Sequence, residues 1–239
     1  MAIELEATEK GGVESATSPG SAMHEQVFSK LREALINGQL APGRALSVRR
    51  LASEFDVSAM PAREAIRRLV AVGALEHTDT RRVMIATMTD EKLEEIKQAR
   101  LALEPILASF ALSAVEGRPR EKKKLIKQLE AVDSELDLAI RRGDVMAYSK
   151  LNSDFHFALY RSAQANVLLN LVESLWLQFG PFMRVVIGRL GTSCLVDDKH
   201  KDIIDALSEN DVEKLKNAVK EDILHGMHTI SLDDAAEDS

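Results

Sequence analysis

Between Leu46 and Val72 the chain carries two short amphipathic segments joined by a tight turn, and this stretch limits the possible folds most. Leu51 and Phe55 form an apolar i, i+4 pair in the first segment, while Ala65, Ile66, Leu69 and Val70 form one helix face in the second. Ser58 is placed to cap the second helix by accepting an orphan N–H of its first turn. Pro61 falls within that turn, where a missing N–H costs nothing. Asp56 occupies the turn position that needs a residue tolerant of positive φ. The outward face of the second helix carries Arg63, Arg67 and Arg68. A helix, a short turn and a capped basic helix form the pattern of a DNA-reading helix-turn-helix.

A net charge of −7 argues against nucleic acid until its distribution is read. From Arg44 to Arg82 eight Arg stand against five acidic residues, a local +3, which leaves −10 for the rest of the chain. A basic module joined to an acidic one is expected where a single domain meets phosphates. With 4% aromatic residues, 6 Pro and 12 Gly in 239 residues, the composition favours helices over sheets. One cysteine, Cys194, excludes an internal disulfide framework. No run approaches the roughly 20 apolar residues of a membrane span, so a soluble, cytoplasmic protein without a membrane partner is expected.

Residues 1–22 mix Glu, Gly, Ser, Thr and Pro without period and read as a disordered leader. A first helix is expected from about His24 to Asn37, with Val27, Leu31, Ala34 and Leu35 inward, followed by the turn Ala41-Pro-Gly-Arg44. After the helix-turn-helix, 74–77 and 82–86 read as two strands around the tip 78–81, a wing that adds phosphate or minor-groove contacts. The DNA-binding unit thus spans 23–87, and a helical unit fills 88–230 before an acidic tail, 231–239. Six or seven amphipathic helices are expected there, forming an antiparallel bundle. A long helix from Thr89 to about Val115 has Leu93, Ile96, Leu103, Leu107 and Phe110 inward, and others cover 119–142, 145–163, 196–208 and 211–229. Residues 166–190 are expected to hold two helices, broken near Gly180-Pro181. The whole is mainly α, a winged helix-turn-helix followed by an all-α bundle.

Several polar residues sit on the apolar stripes of that bundle. Asn152 and His156 lie one turn apart on the face of Val145, Tyr148, Leu151, Phe155 and Leu159. His200 shares a stripe with Ile203, Ile204 and Leu207, and Asp222 shares one with Leu215, Val219 and Ile223. Singly, each reads as a core residue hydrogen-bonded to a neighbour. Together they read as a ligand set, since one divalent metal (Zn, Ni, Fe or Mn) would satisfy all four.

The motifs Leu40-Ala-Pro-Gly-Arg44, Leu46-Ser-Val-Arg-Arg-Leu-Ala52, Ser58-Ala-Met-Pro-Ala-Arg-Glu-Ala65, Arg100-Leu-Ala-Leu-Glu104, Asn152-Ser-Asp-Phe-His156 and His200-Lys-Asp-Ile-Ile204 occur in one order. In this the chain resembles GntR-family transcription regulators of the branch with a helical FadR-type C-terminal (FCD) domain, over nearly all of residues 24–228. The resemblance implies a homodimeric, ligand-responsive regulator, commonly a repressor, on double-stranded palindromic operator DNA. It implies Arg49 and Arg63 as operator contacts, with Ser58, Met60 and Arg63 nearest base edges and Arg49, Arg81 and Arg82 nearer phosphates. Two positions depart from the family, Ala59 where Arg is usual and Arg82 where Gly is usual.

The resemblance also implies metal ligands at Asn152, His156, His200 and Asp222, the last in place of the family's usual His. Family pockets hold a small carboxylate against the metal beside an arginine. Arg100 could supply that fork or could instead pair with Glu104 one turn on; Arg184 is the weaker choice. Trp176, Phe179 and Phe182 read as core. Two other readings stand beside this one, a metal sensor without organic effector and a metalloenzyme. Against the enzyme, the set contains no recognisable general base.

Overall fold

The computed structural model describes residues 19–78, 82–190 and 199–228, with side chains over 25–78, 82–183 and 199–227. Helix α1, Pro19–Ile36, begins five residues before the expected start, with a proline at its first position, where no N–H is needed. Residues 1–18 and 229–239, the wing-tip residue Arg81, the side chain of Arg184 and Cys194 lie outside the described residues.

The head is built from α1, α2 (Val48–Glu54) and α3 (Ala59–Ala71) around a small sheet. Ser47 caps α2, its hydroxyl accepting from Arg50 N at 3.1 Å. Asp56 takes φ 51° in the turn between α2 and α3, as expected. Val27, Leu31 and Leu35 of α1, Leu51 of α2 and Ala65, Ile66 and Leu69 of α3 are buried together. Strands β2 (Leu75–His77) and β3 (Val83–Ile85) form the expected wing. A third strand, β1 (Ala45–Leu46), pairs antiparallel with β3 through Leu46↔Val83, giving the order β1-β3-β2. Two residues are too few to show a period, so β1 had no signature in the sequence.

Six helices among the described residues form the bundle. These are α4 (Asp90–Val115), α5 (Pro119–Arg142), α6 (Val145–Ser162), α7 (Asn166–Leu190), α8 (His200–Glu209) and α9 (Val212–His228). Thr89 caps α4, Asp144 caps α6, and Gly143 closes α5 in the left-handed conformation at φ 67°. Helix α4 runs through the middle, packed against α6, α7 and α9, while α5 packs on α6 and α8. None of the described helices is long and apolar enough to cross a membrane.

Two expectations for the bundle fail. Phe110 is 46% exposed rather than inward, because the buried stripe of α4 runs through Arg100, Glu104, Leu107, Ala108 and Ala111. Helix α7 is also continuous through Gly180-Pro181. Pro181 forfeits one helical hydrogen bond, yet Trp176, Leu177 and Phe179 before it and Phe182 and Met183 after it are all buried. Burial on both sides of the proline outweighs a cost of roughly 3 kcal/mol, at about 1.5–3 kcal/mol for each large apolar side chain.

Gly180 has a second role. A Cβ there would lie 2.5 Å from the carbonyl oxygens of both Leu35 and Ile36, so the last turn of α1 rests directly on α7. Two polar contacts flank this seat. Arg32 Nη1 donates to both carboxylate oxygens of Glu173 at 2.9 Å, and Ser153 Oγ donates to Asn37 Oδ1 at 2.7 Å. The reading head is thereby joined to the bundle through α1.

Candidate metal centre and nucleic-acid interface

Helices α6, α8 and α9 bring His156, His200 and Asp222 into one group whose ligand-type atoms lie within 4.8 Å of one another. His156 Nε2 is 3.1 Å from Asp222 Oδ2, His200 Nε2 is 3.8 Å from Asp222 Oδ1, and the two Nε2 atoms are 3.4 Å apart. Ligands about 2.1 Å from one ion at tetrahedral or octahedral angles stand about 3.0–3.4 Å from each other, so the spacing suits a single small cation. Both imidazoles are buried and Asp222 is nearly so. Burial alone would raise the Asp222 carboxyl, but the charge and hydrogen bond of His156, then His200 and Arg100, hold it well below the carboxylate range.

Asn152, the fourth expected ligand, is buried on the same helix, but its Nδ2 is directed at Met183 Sδ, 3.9 Å away. Its oxygen is therefore the atom left for an ion. Arg100 is 4% exposed and gives its fork to Glu104, Nε to Oε1 at 2.6 Å and Nη2 to Oε2 at 3.3 Å. Its guanidinium also lies over the rings of Trp176 (4.6 Å) and Phe179 (4.9 Å). Of the two roles expected for Arg100, the structure contains the pair with Glu104.

The sequence reading missed a shell of residues around this group. Tyr160 OH is 3.3 Å from His156 Nδ1 and donates to Glu104 Oε2 at 2.7 Å. Trp176 Nε1 donates to Glu104 Oε1 at 3.0 Å. Asp133 of α5 places Oδ1 3.6 Å from His200 Nδ1. Asp133 was findable by the argument that found Asp222, since it interrupts the buried stripe Leu125, Leu129, Leu136. Tyr160 follows His156 by one turn and was equally open to that test.

At the other end of the molecule, α2 and α3 expose Arg49, Ser58, Met60 and Arg63, and Arg82 is exposed at the start of β3. Met60 is 67% exposed. Ser58 stands at the N-cap of α3 with extended backbone, but its side chain makes no capping bond. The reason is local: Pro61 occupies the third helical position and so removes one of the two N–H groups an N-cap side chain can receive. The three arginines expected to face outward also differ. Arg67 is held by Glu64 at 2.8 Å, and Arg68 folds back onto Glu25 at 2.8 Å and over the Phe28 ring at 3.5 Å. Among the described residues Arg63 has no such tether and remains available on the exposed face.

Comparison with known proteins agrees with both regions. Residues 23–85 match the family of bacterial regulatory proteins termed gntR, and residues 95–225 match the FCD domain. The HTH-type transcriptional regulator McbR of Escherichia coli (strain K12) is 28% identical over 199 residues, covering 82% of this chain and 87% of that protein. The gluconate operon transcriptional repressor of Bacillus subtilis (strain 168) is 22% identical over 85% of this chain and 79% of its own length. Among solved structures, E. coli McbR/YncC superimposes with a TM-score of 0.77 at 25% identity, covering 87% of this chain and 96% of that one. A GntR regulator from Rhodococcus sp. RHA1 shares the fold with a TM-score of 0.66 at 22% identity. The chain therefore belongs to the gntR family of bacterial regulatory proteins with an FCD domain, and it is a DNA-binding transcriptional regulator rather than an enzyme.

Proposed function

We propose that this regulator is a homodimeric repressor whose hold on a palindromic operator is set by a small carboxylate metabolite, bound at a divalent metal inside the bundle. The reading head spans 23–87 and the metal and effector unit 88–230. The observation that carries the proposal is the convergence of His156 Nε2, His200 Nε2 and the Asp222 carboxylate to 3.1–3.8 Å within a buried space. Two imidazoles and a carboxylate suit Zn, Ni, Fe or Mn, with Asn152 as the fourth ligand. A bound ion would supply a positive anchor for the metabolite's carboxylate. Arg100 stands close enough for Asp222 to act on its charge, which places a guanidinium beside that anchor.

At the operator, Arg63, Ser58 and Met60 face base edges in the major groove, and Arg49, Arg81 and Arg82 face the backbone. Dimerisation along α4 is supported by its outer face. Between Leu101 and Val115 Glu104 is the one charged residue and it is buried, while Ile106 and Phe110 are exposed. Effector binding then shifts operator affinity only by favouring one spacing of the two heads over another.

A second reading, a metal sensor without organic effector, is favoured by the Arg100 fork being occupied by Glu104. Elemental analysis and native mass spectrometry of protein purified without chelator test the metal. Operator binding titrated with metal alone, and with metal plus carboxylates, separates the two readings. Less than stoichiometric metal, with none taken up on titration, would sink both.

A further inference from the structure

We infer that Tyr160 and Asp133 are positioning residues, which hold His156 and His200 with Nδ1 protonated and both Nε2 lone pairs turned toward Asp222. The purpose of that arrangement rests on the metal reading above, but the tautomers can be observed without any metal.

The argument starts at Glu104, which is fully buried and ringed by donors. Arg100 reaches it with Nε and Nη2, Trp176 with Nε1 at 3.0 Å and Tyr160 with its hydroxyl at 2.7 Å. An ionised carboxylate only accepts, so Tyr160 must donate to it. Burial, reinforced by the charge of Glu104, raises the Tyr160 hydroxyl well above its ordinary range, so it keeps its proton. A hydroxyl has one proton, and this one is committed to Glu104. Toward His156 Nδ1, 3.3 Å away, the Tyr160 oxygen can then only accept, and Nδ1 must carry the hydrogen. The same holds more loosely for His200. Asp133 Oδ1 is buried, accepts no hydrogen bond, and lies 3.6 Å from His200 Nδ1, where its charge favours a proton on that nitrogen.

Both rings therefore present Nε2 to the same point, 3.1 and 3.8 Å from the Asp222 oxygens. Two lone pairs and a carboxylate cannot converge so closely without a cation between them. Free histidine prefers the opposite tautomer, so the two outer residues determine which nitrogen faces inward. Such outer partners typically change metal affinity by about 10- to 100-fold.

The test is nitrogen-15 NMR of the imidazoles in the full-length, metal-free protein at alkaline pH, followed by zinc titration. Both rings should show the Nδ1–H pattern. Tyr160→Phe should shift His156, and Asp133→Ala should shift His200, toward Nε2–H, each weakening zinc about 10- to 100-fold. Asp133→Asn, whose amide oxygen still accepts, should restore the pattern and most of the affinity. Circular dichroism confirms that each variant is folded, and a variant that unfolds is replaced by reading the wild-type tautomers alone. Nε2–H on either wild-type ring, or tautomers unmoved in folded variants, overturns the inference. Nδ1–H rings in a protein that takes up no zinc would leave it standing and defeat the metal reading instead.

Discussion

Arg32 of the reading head and Glu173 of the bundle meet through one nitrogen, Nη1, shared between two carboxylate oxygens at 2.9 Å each. Both side chains are largely buried, 22% and 17% exposed. Arg32→Ala should lower stability by about 1–3 kcal/mol, much of it from leaving Glu173 under-solvated. Calorimetry should show the head and bundle unfolding together in the wild type and separately in the variant. A single unshifted transition would mean that this pair does not couple the two units.

Gly180→Ala is predicted to be more harmful than its size suggests. The added methyl would meet two backbone oxygens of α1, which cannot rotate away as a side chain can. A loss of about 1–3 kcal/mol is expected from overpacking, with a change in operator affinity because α1 also supports α3. Wild-type melting and wild-type DNA binding together would refute the close seat.

Arg63 and Arg67 should behave differently on DNA although both are exposed on α3. Arg63→Ala should weaken operator binding by about 1–3 kcal/mol and relax sequence preference. Arg67 is already engaged by Glu64, so Arg67→Ala should cost less and leave preference unchanged. Fluorescence anisotropy on specific and scrambled duplexes measures both effects, and equal losses on the two duplexes for Arg63→Ala would make it a backbone contact.

Phe110→Asp should split the dimer while leaving each protomer folded, because the side chain is half exposed and contributes little to the core. Loss of a central apolar contact costs about 2 kcal/mol or more, a rise of about 30-fold in the dissociation constant. Analytical ultracentrifugation reads this directly, and an unchanged dimer would place the interface elsewhere.

His200→Ala should abolish stabilisation by metal. With zinc at 100 times its Kd, the wild type gains about 2.7 kcal/mol by mass action, seen as a higher Tm that a chelator reverses. The variant should gain none. A variant that still responds would bind its ion at another place.

The architecture was legible because periodicity survives in sequence wherever a helix has one wet and one dry face. Helices α5 and α6 ended within a residue of expectation, since Gly143 and Asp144 announce their boundaries locally. Helix α7 was misread for the opposite reason. Gly180-Pro181 is a strong local stop, and only the burial of distant partners overrides it. Phe110 was placed inside because one helix face can be apolar for two different customers, its own core or another chain. In the bundle, polar residues on dry stripes pointed to His156, His200 and Asp222, and the same rule applied to α5 would have added Asp133. What no spacing reveals is direction: that Arg100 is taken by Glu104, or that Tyr160 has only one proton to give.

The uncapped start of α3 has a consequence for reading itself. Pro61 leaves the Ser58 hydroxyl with no bond to its own helix, so none has to be broken when it meets a base or phosphate. Most helices finish their own ends before they are used. Here the duplex becomes the missing cap, and part of what the operator contributes to binding is order in the turn that reads it.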